Sequence, residues 1–135
     1  MGSVEKGRIH LAFLCDDVRN ELQNKISYMG VFGRFNVMDF EKPVPPFYVA
    51  SQWHFDDRGL KKIALVLVDD NNNELQRTGG EILVDKEEKN EFDAYGLNLN
   101  IGISALKFGK AGRYFFVFKL EDNEIARLPI LVEKA

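Results

Sequence analysis

From Leu97 to Ile103 the chain reads Leu-Asn-Leu-Asn-Ile-Gly-Ile, with a large apolar side chain at every second position. Successive side chains of an extended backbone point to opposite faces, so this period of two marks a half-buried strand; the apolar stripe of a helix recurs every three to four residues. Residues 47–55 repeat the pattern, with Phe47, Val49, Trp53 and Phe55 against Tyr48, Gln52 and His54. At 8–15, Ile9, Leu11, Phe13 and Cys15 oppose His10, Ala12 and Leu14. Segment 26–37 is rich in β-branched and aromatic residues but interrupted by Gly30 and Gly33, which predicts a bulged or bent strand.

Two further runs, Ile63–Val68 and Tyr114–Phe118, are apolar on both faces. One sheet face of a two-layer sandwich points outward, so Phe115 and Val117 need cover from a second copy, making a homodimer, or from the chain's own loops. Turn chemistry separates the strands. Asp69-Asp70-Asn71-Asn72-Asn73-Glu74 suits a hairpin between 62–68 and 75–84, and Glu121-Asp122-Asn123-Glu124 precedes a last strand over 125–132. Pro129 lacks an N–H and places that last strand at a sheet edge, while Pro43, Pro45 and Pro46 make a stiff link where no strand runs. Helical turns are expected only within 16–24 and near 103–108. About eight short strands at near-regular spacing predict an all-β fold, an antiparallel two-sheet β-sandwich of immunoglobulin-like type, with an open barrel as its rival.

The chain has 135 residues, enough for one domain with a sizeable core, and its lone Cys15 excludes a disulfide scaffold. A net charge of −3 gives no electrostatic footprint for nucleic acid or an anionic membrane. The apolar stretch Ile9–Cys15 is too short for a signal peptide, and no window approaches a membrane span. An unpaired cysteine suits a reducing compartment, so the expectation is cytoplasmic. Residues 1–7 read as a disordered leader and 8–135 as a single sandwich domain.

Lys110-Ala111-Gly112-Arg113-Tyr114 resembles the tyrosine corner of immunoglobulin-like domains, with Lys110 where an Asp is common. Trp53 falls on the third strand, where such folds keep a core tryptophan. More broadly, "CDD" at 15–17, "MGVFGRF" at 29–35 and the closing hairpin at 113–132 resemble a family of small bacterial and phage-associated β-sandwich proteins, a domain of unknown function. The resemblance implies a fold and a bacterial context, and supplies no catalytic residues.

Catalytic chemistry has little to work with. His10 and His54 are the two histidines, and each reads as structural or exposed. Cys15 continues an apolar face and reads as buried and inert. These three residues do not make an ordinary zinc site, and neither Gly79-Gly80 nor Gly30-Val31-Phe32-Gly33 has the spacing of a phosphate loop. No enzyme and no cofactor are expected. If the strands simply run up and down, one end of the sandwich collects Asp16, Asp17, Asp56, Asp57, Asp85, Glu87, Glu88, Glu121 and Asp122. Of these, Asp16, Asp17, Asp56 and Asp57 are the weak candidates for Ca²⁺, against the plain reading of charged turns neutralised by Arg19, Arg58, Lys61, Lys62, Lys86 and Lys89. Phe32-Gly33-Arg34-Phe35 and Arg113-Tyr114-Phe115 interleave aromatic with basic residues, but the basic residues are isolated and core packing is favoured over single-stranded nucleic acid. The expectation is a non-catalytic binding or assembly module for a protein partner or for itself, acting through Phe115 and Val117, the Gly-interrupted strand 26–37 or an edge strand. The alternative is Ca²⁺ or a small ligand at the acidic end.

Overall fold

The computed structural model describes residues 6–135. Nine strands follow one another: β1 (Gly7–Asn20), β2 (Ile26–Phe32), β3 (Arg34–Val37), β4 (Phe47–Phe55), β5 (Gly59–Asp69), β6 (Glu74–Val84), β7 (Tyr95–Ile103), β8 (Gly112–Leu120) and β9 (Asn123–Lys134). They form a four-stranded sheet, β2-β1-β4-β7, and a five-stranded sheet, β3-β9-β8-β5-β6. The all-β two-sheet expectation holds. Pairing is antiparallel throughout except between β3 and β9, which run parallel. β1 begins at Gly7, inside the stretch expected as a leader; residues 1–5 of that stretch lie outside the described residues.

The segment 26–37 does not bend as one strand. It breaks at Gly33, pairing with β1 before the break and with β9 after it, so the chain crosses from one sheet to the other. β1 pairs antiparallel with both β2 and β4, which makes β2 and β4 run in the same direction. The proline-bearing link 38–46 carries the chain back between them. This breaks strict up-and-down order. Of the two expected helical turns, Leu22–Asn24 forms a single 3₁₀ turn. Around 103–108 the backbone is irregular, with Ala105 at φ 57°.

The core follows the alternation. Phe47, Val49, Trp53 and Phe55 point inward, and Leu97, Leu99, Ile101 and Ile103 pack on the same core. From the facing sheet come Ile63, Leu65, Leu67, Tyr114, Phe116 and Phe118. In β1 the expected face is wrong beyond Ile9. The register with β4 shifts between Ile9 and Leu11, leaving His10 as an extra residue, and a one-residue slip exchanges the faces of everything after it. Ile9, Ala12 and Leu14 therefore face the core, while Leu11 is half exposed.

Pro129 sits in β9, which is internal in the strand order, yet β3 pairs with β9 only from Leu131 onward. At Pro129, opposite Phe115 of β8, the other side of β9 is free, and a residue without an N–H costs nothing there. The hydroxyl of Tyr114 lies 2.7 Å from the carbonyl oxygens of both Phe108 and Lys110, tying the incoming loop to β8.

Candidate functional site

Phe115 and Val117 lie on the outer face of the five-stranded sheet, with Ala64, Val66 and Val68. Val117 is only 2% exposed. In register across the sheet run Arg77, Val66, Val117 and Arg127. Arg77 is held by Glu74 at 2.9 Å and Arg127 by Glu124 at 2.8 Å, and the Arg127 guanidinium lies 5.4 Å from the centre of the half-buried Phe115 ring. The Arg127 side chain, lying over Phe115, supplies part of the cover. Val117 thus finds its cover within the chain and does not lie on a free apolar surface.

The acidic candidates separate. Asp16 and Asp17 are strand residues of β1 rather than loop residues. Cys15 pairs with Tyr48 at one end of β4 and Gly7 with Phe55 at the other, so Asp16 and Asp17 stand about 30 Å or more from Asp56 and Asp57 at roughly 3.4 Å per residue. The cause is the return of the chain between β2 and β4. At the end that Asp56, Asp57 and Asp122 do share, carboxylates meet cations: Asp57 bonds Lys61 and lies 3.9 Å from Lys6, Asp56 lies 3.8 Å from Arg8, and Asp122 lies 2.9 Å from Lys62. Lys61 beside Asp57 holds that carboxyl below its usual range. At the far end Asp17 pairs with Arg19 at 3.4 Å. Among the described residues no three of His, Cys, Asp and Glu are grouped as a metal ion needs.

The histidines are more organised than their sequence positions imply. His10, the extra residue of the β1 bulge, stacks on His54 with ring centres 4.6 Å apart and planes 12° from parallel. Phe92, from the loop between β6 and β7, packs on both rings at 4.8 and 5.3 Å. His54, expected on a polar face, is only 5% exposed, and its Nδ1 is buried without a hydrogen-bond partner. Burial first, then the charges of His10 and Arg8, lower its pKa from 6.5, against an upward pull from Glu91. Cys15 is fully buried, and desolvation followed by the neighbouring Asp16 charge raises its thiol pKa. It lies five residues along β1 from His10, about 16 Å away, too far for a Cys–His pair.

The strand edges differ sharply. β2 carries Gly30 at φ +69°, β3 has four residues, and β6 bears Glu74, Arg77 and Glu81. The open half of β9 has Glu124, Arg127 and Pro129. Charges, prolines, irregular backbone and shortness are the usual means of blunting a free edge. β7 has none of them. It pairs with β4 over nine consecutive residues without a register shift, contains no charged residue, and among the described residues has no strand on its other side.

Beside that edge the sandwich is open. Trp53 and Phe118 meet across the two layers with ring centres 6.0 Å apart, which sets β4 over β8. β7 then lies over β5, and among the described residues the four-stranded sheet has no strand over β6. The gap is a slot of about 230 Å³ lined by Trp53, Leu65, Thr78, Gly80, Leu99 and Ile101 among others. Trp53 forms its floor, only 1% exposed, with its indole N–H donating to Ser51 Oγ at 2.9 Å and the Ser51 hydroxyl donating to the Leu99 carbonyl at 2.9 Å. An edge strand was expected as a recognition surface, but that the edge is β7, and that a slot opens beside it, was missed because each depends on what lies beside a strand, which periodicity does not carry. The uncharged run Tyr95–Ile103 was the signal that pointed to the edge.

Among the described residues no helix is long and apolar enough to cross a membrane. No curated protein matches the chain in sequence. Among solved structures, a glycosyl hydrolase family 2 member from Bacteroides cellulosilyticus is similar at 14% identity and a TM-score of 0.41, over 84% of this chain and 18% of that one. The chain thus spans less than a fifth of that protein's length. The model of a family of unknown function, DUF6941, matches residues 10–133, nearly the whole chain. The protein belongs to this family.

Proposed function

We propose that the protein is a non-catalytic binding module that takes an extended segment of a protein partner onto the free edge of β7. The observation that carries this reading is the undefended edge itself, nine uncharged residues in continuous register, in a sheet one strand narrower than the sheet it faces. A strand added there satisfies the unpaired N–H and C=O groups and lays alternate side chains into the slot. Support for a non-catalytic role comes from the distance between Cys15 and the histidines and from the raised thiol pKa. The Tyr114 hydroxyl bonds to backbone carbonyls are those a tyrosine corner makes, which supports an immunoglobulin-like frame. The buried, unpaired Cys15 supports a reducing compartment such as the cytoplasm.

The test is capture of binding proteins from the source cells, followed by amide hydrogen exchange on the complex. The reading predicts new protection over 95–103. Protection confined to β2, or to the outer face around Phe115, contradicts it.

A further inference from the structure

We infer that the slot beside β7 selects its partner, accepting one large apolar side chain carried on a single extended segment of another polypeptide. The inference rests on the strand-addition reading above and adds which segment the edge accepts. A strand paired with β7 follows its pleat, so every second side chain points between the sheets. The inward residues of β6 that it meets are Thr78, Gly80 and Ile82, because Thr78 pairs with core-facing Leu65 and Gly80 with core-facing Ile63. Gly80 presents no side chain, and a Cβ built on it meets nothing within 4 Å. The missing side chain, together with the missing strand above it, leaves about 230 Å³ reaching to Trp53. An apolar side chain entering opposite Gly80 fills volume that no described residue fills. A charged side chain there loses its hydration among Leu65, Leu99 and Ile101. Glu81 is the one charged residue of the lining, and it pairs with Lys62 on the outward parity of β6.

The occupant is one segment rather than the same edge of a second copy. Each four-stranded sheet is backed by five strands, so antiparallel pairing of β7 with β7 of another copy drives each overhanging β6 into the other copy's β5. The width over β6 suits one strand. That points to a tail, linker or otherwise extended stretch of the partner.

The experiment selects displayed peptides nine residues long, the length of β7, against the wild-type chain. The best tryptophan-free sequence is synthesised with an ordinary backbone and with alternate amides N-methylated. Trp53 is the only tryptophan, so its fluorescence reports occupation of the slot. The inference predicts selected peptides with a large apolar residue at alternate positions and a change in Trp53 emission on binding. Gly80→Val should weaken binding by about tenfold or more, equivalent to about 1.4 kcal/mol, without lowering the melting temperature. Thr78→Leu should do the same from the next inward position. If both variants bind the ordinary peptide as tightly as wild type while the N-methylated peptide fails to bind, strand addition stands and the slot inference is overturned. If the N-methylated peptide binds as well as the ordinary one, strand addition is overturned and the inference falls with it. A library that yields no peptide perturbing β7 overturns both.

Discussion

Tyr114 shows how one side chain closes a loop against a sheet. Its ring sits in the core, packed on Phe108 with ring centres 4.9 Å apart, while its hydroxyl serves carbonyls at Phe108 and Lys110. Tyr114→Phe keeps the packing and leaves those carbonyls short of a donor; a loss of about 1–2 kcal/mol in urea unfolding is expected. An unchanged midpoint would show that water replaces the hydroxyl at no cost. This contact was legible, because the spacing to Gly112 marks it. His54 was not, since its cover comes from Phe92 and from a bulge at His10 that strict alternation does not foresee. Its lowered pKa has a direct consequence. The folded state favours the neutral ring, so the contribution of His54 to stability is complete above the unfolded value of about 6.5 and is lost as the pH falls through the lowered folded value. Unfolding midpoints below pH 6.5 should therefore fall more steeply in wild type than in His54→Phe, which keeps an aromatic ring against His10 and Phe92. Equal slopes would remove His54 as the cause.

Among the strands, the paired glycines of β6 give the cleanest contrast. Gly79 and Gly80 are neighbours in one strand, yet a Cβ at Gly79 meets the Ile63 carbonyl oxygen at 3.3 Å and Ala64 Cβ at 3.5 Å, whereas at Gly80 it meets open space. Glycine within a strand costs conformational entropy and packs nothing. Gly80→Val should stabilise the protein by up to about 1 kcal/mol, the span of β-propensity, and Gly79→Val should gain less or lose. Thermal melts of the two variants check this, and a destabilised Gly80→Val would mean that the slot is closed in solution. Strands with a clean alternation, 47–55 and 97–103, were fully legible in both existence and facing. The segment 26–37 was legible only as β-structure. Gly33 predicts a bulge or bend in one strand, whereas the chain's transfer between sheets there depends on the parallel pairing with Leu131–Lys134, about a hundred residues away.

Across the whole molecule, the sandwich class followed from local pattern while the strand order did not. Order is decided by the link 38–46, whose prolines announce stiffness but not direction. That one connection moves Asp16 and Asp17 to the far end and divides the acidic set. With the remaining carboxylates beside Lys61, Lys62, Lys6 and Arg8, millimolar calcium should leave the melting temperature unchanged; a rise that EDTA reverses would show a site by mass action. The same topology leaves one sheet a strand narrower than the other, and it is this mismatch that exposes β7 and opens the floor to Trp53. The most direct measurement is an isotope-edited NOE spectrum of the labelled protein bound to its partner segment. Contacts are predicted from partner α-protons to β7 amides and from partner methyl or aromatic protons to Leu99, Ile101 and the Trp53 indole. Contacts restricted to β2, or to the face bearing Phe115 and Arg127, would contradict the account.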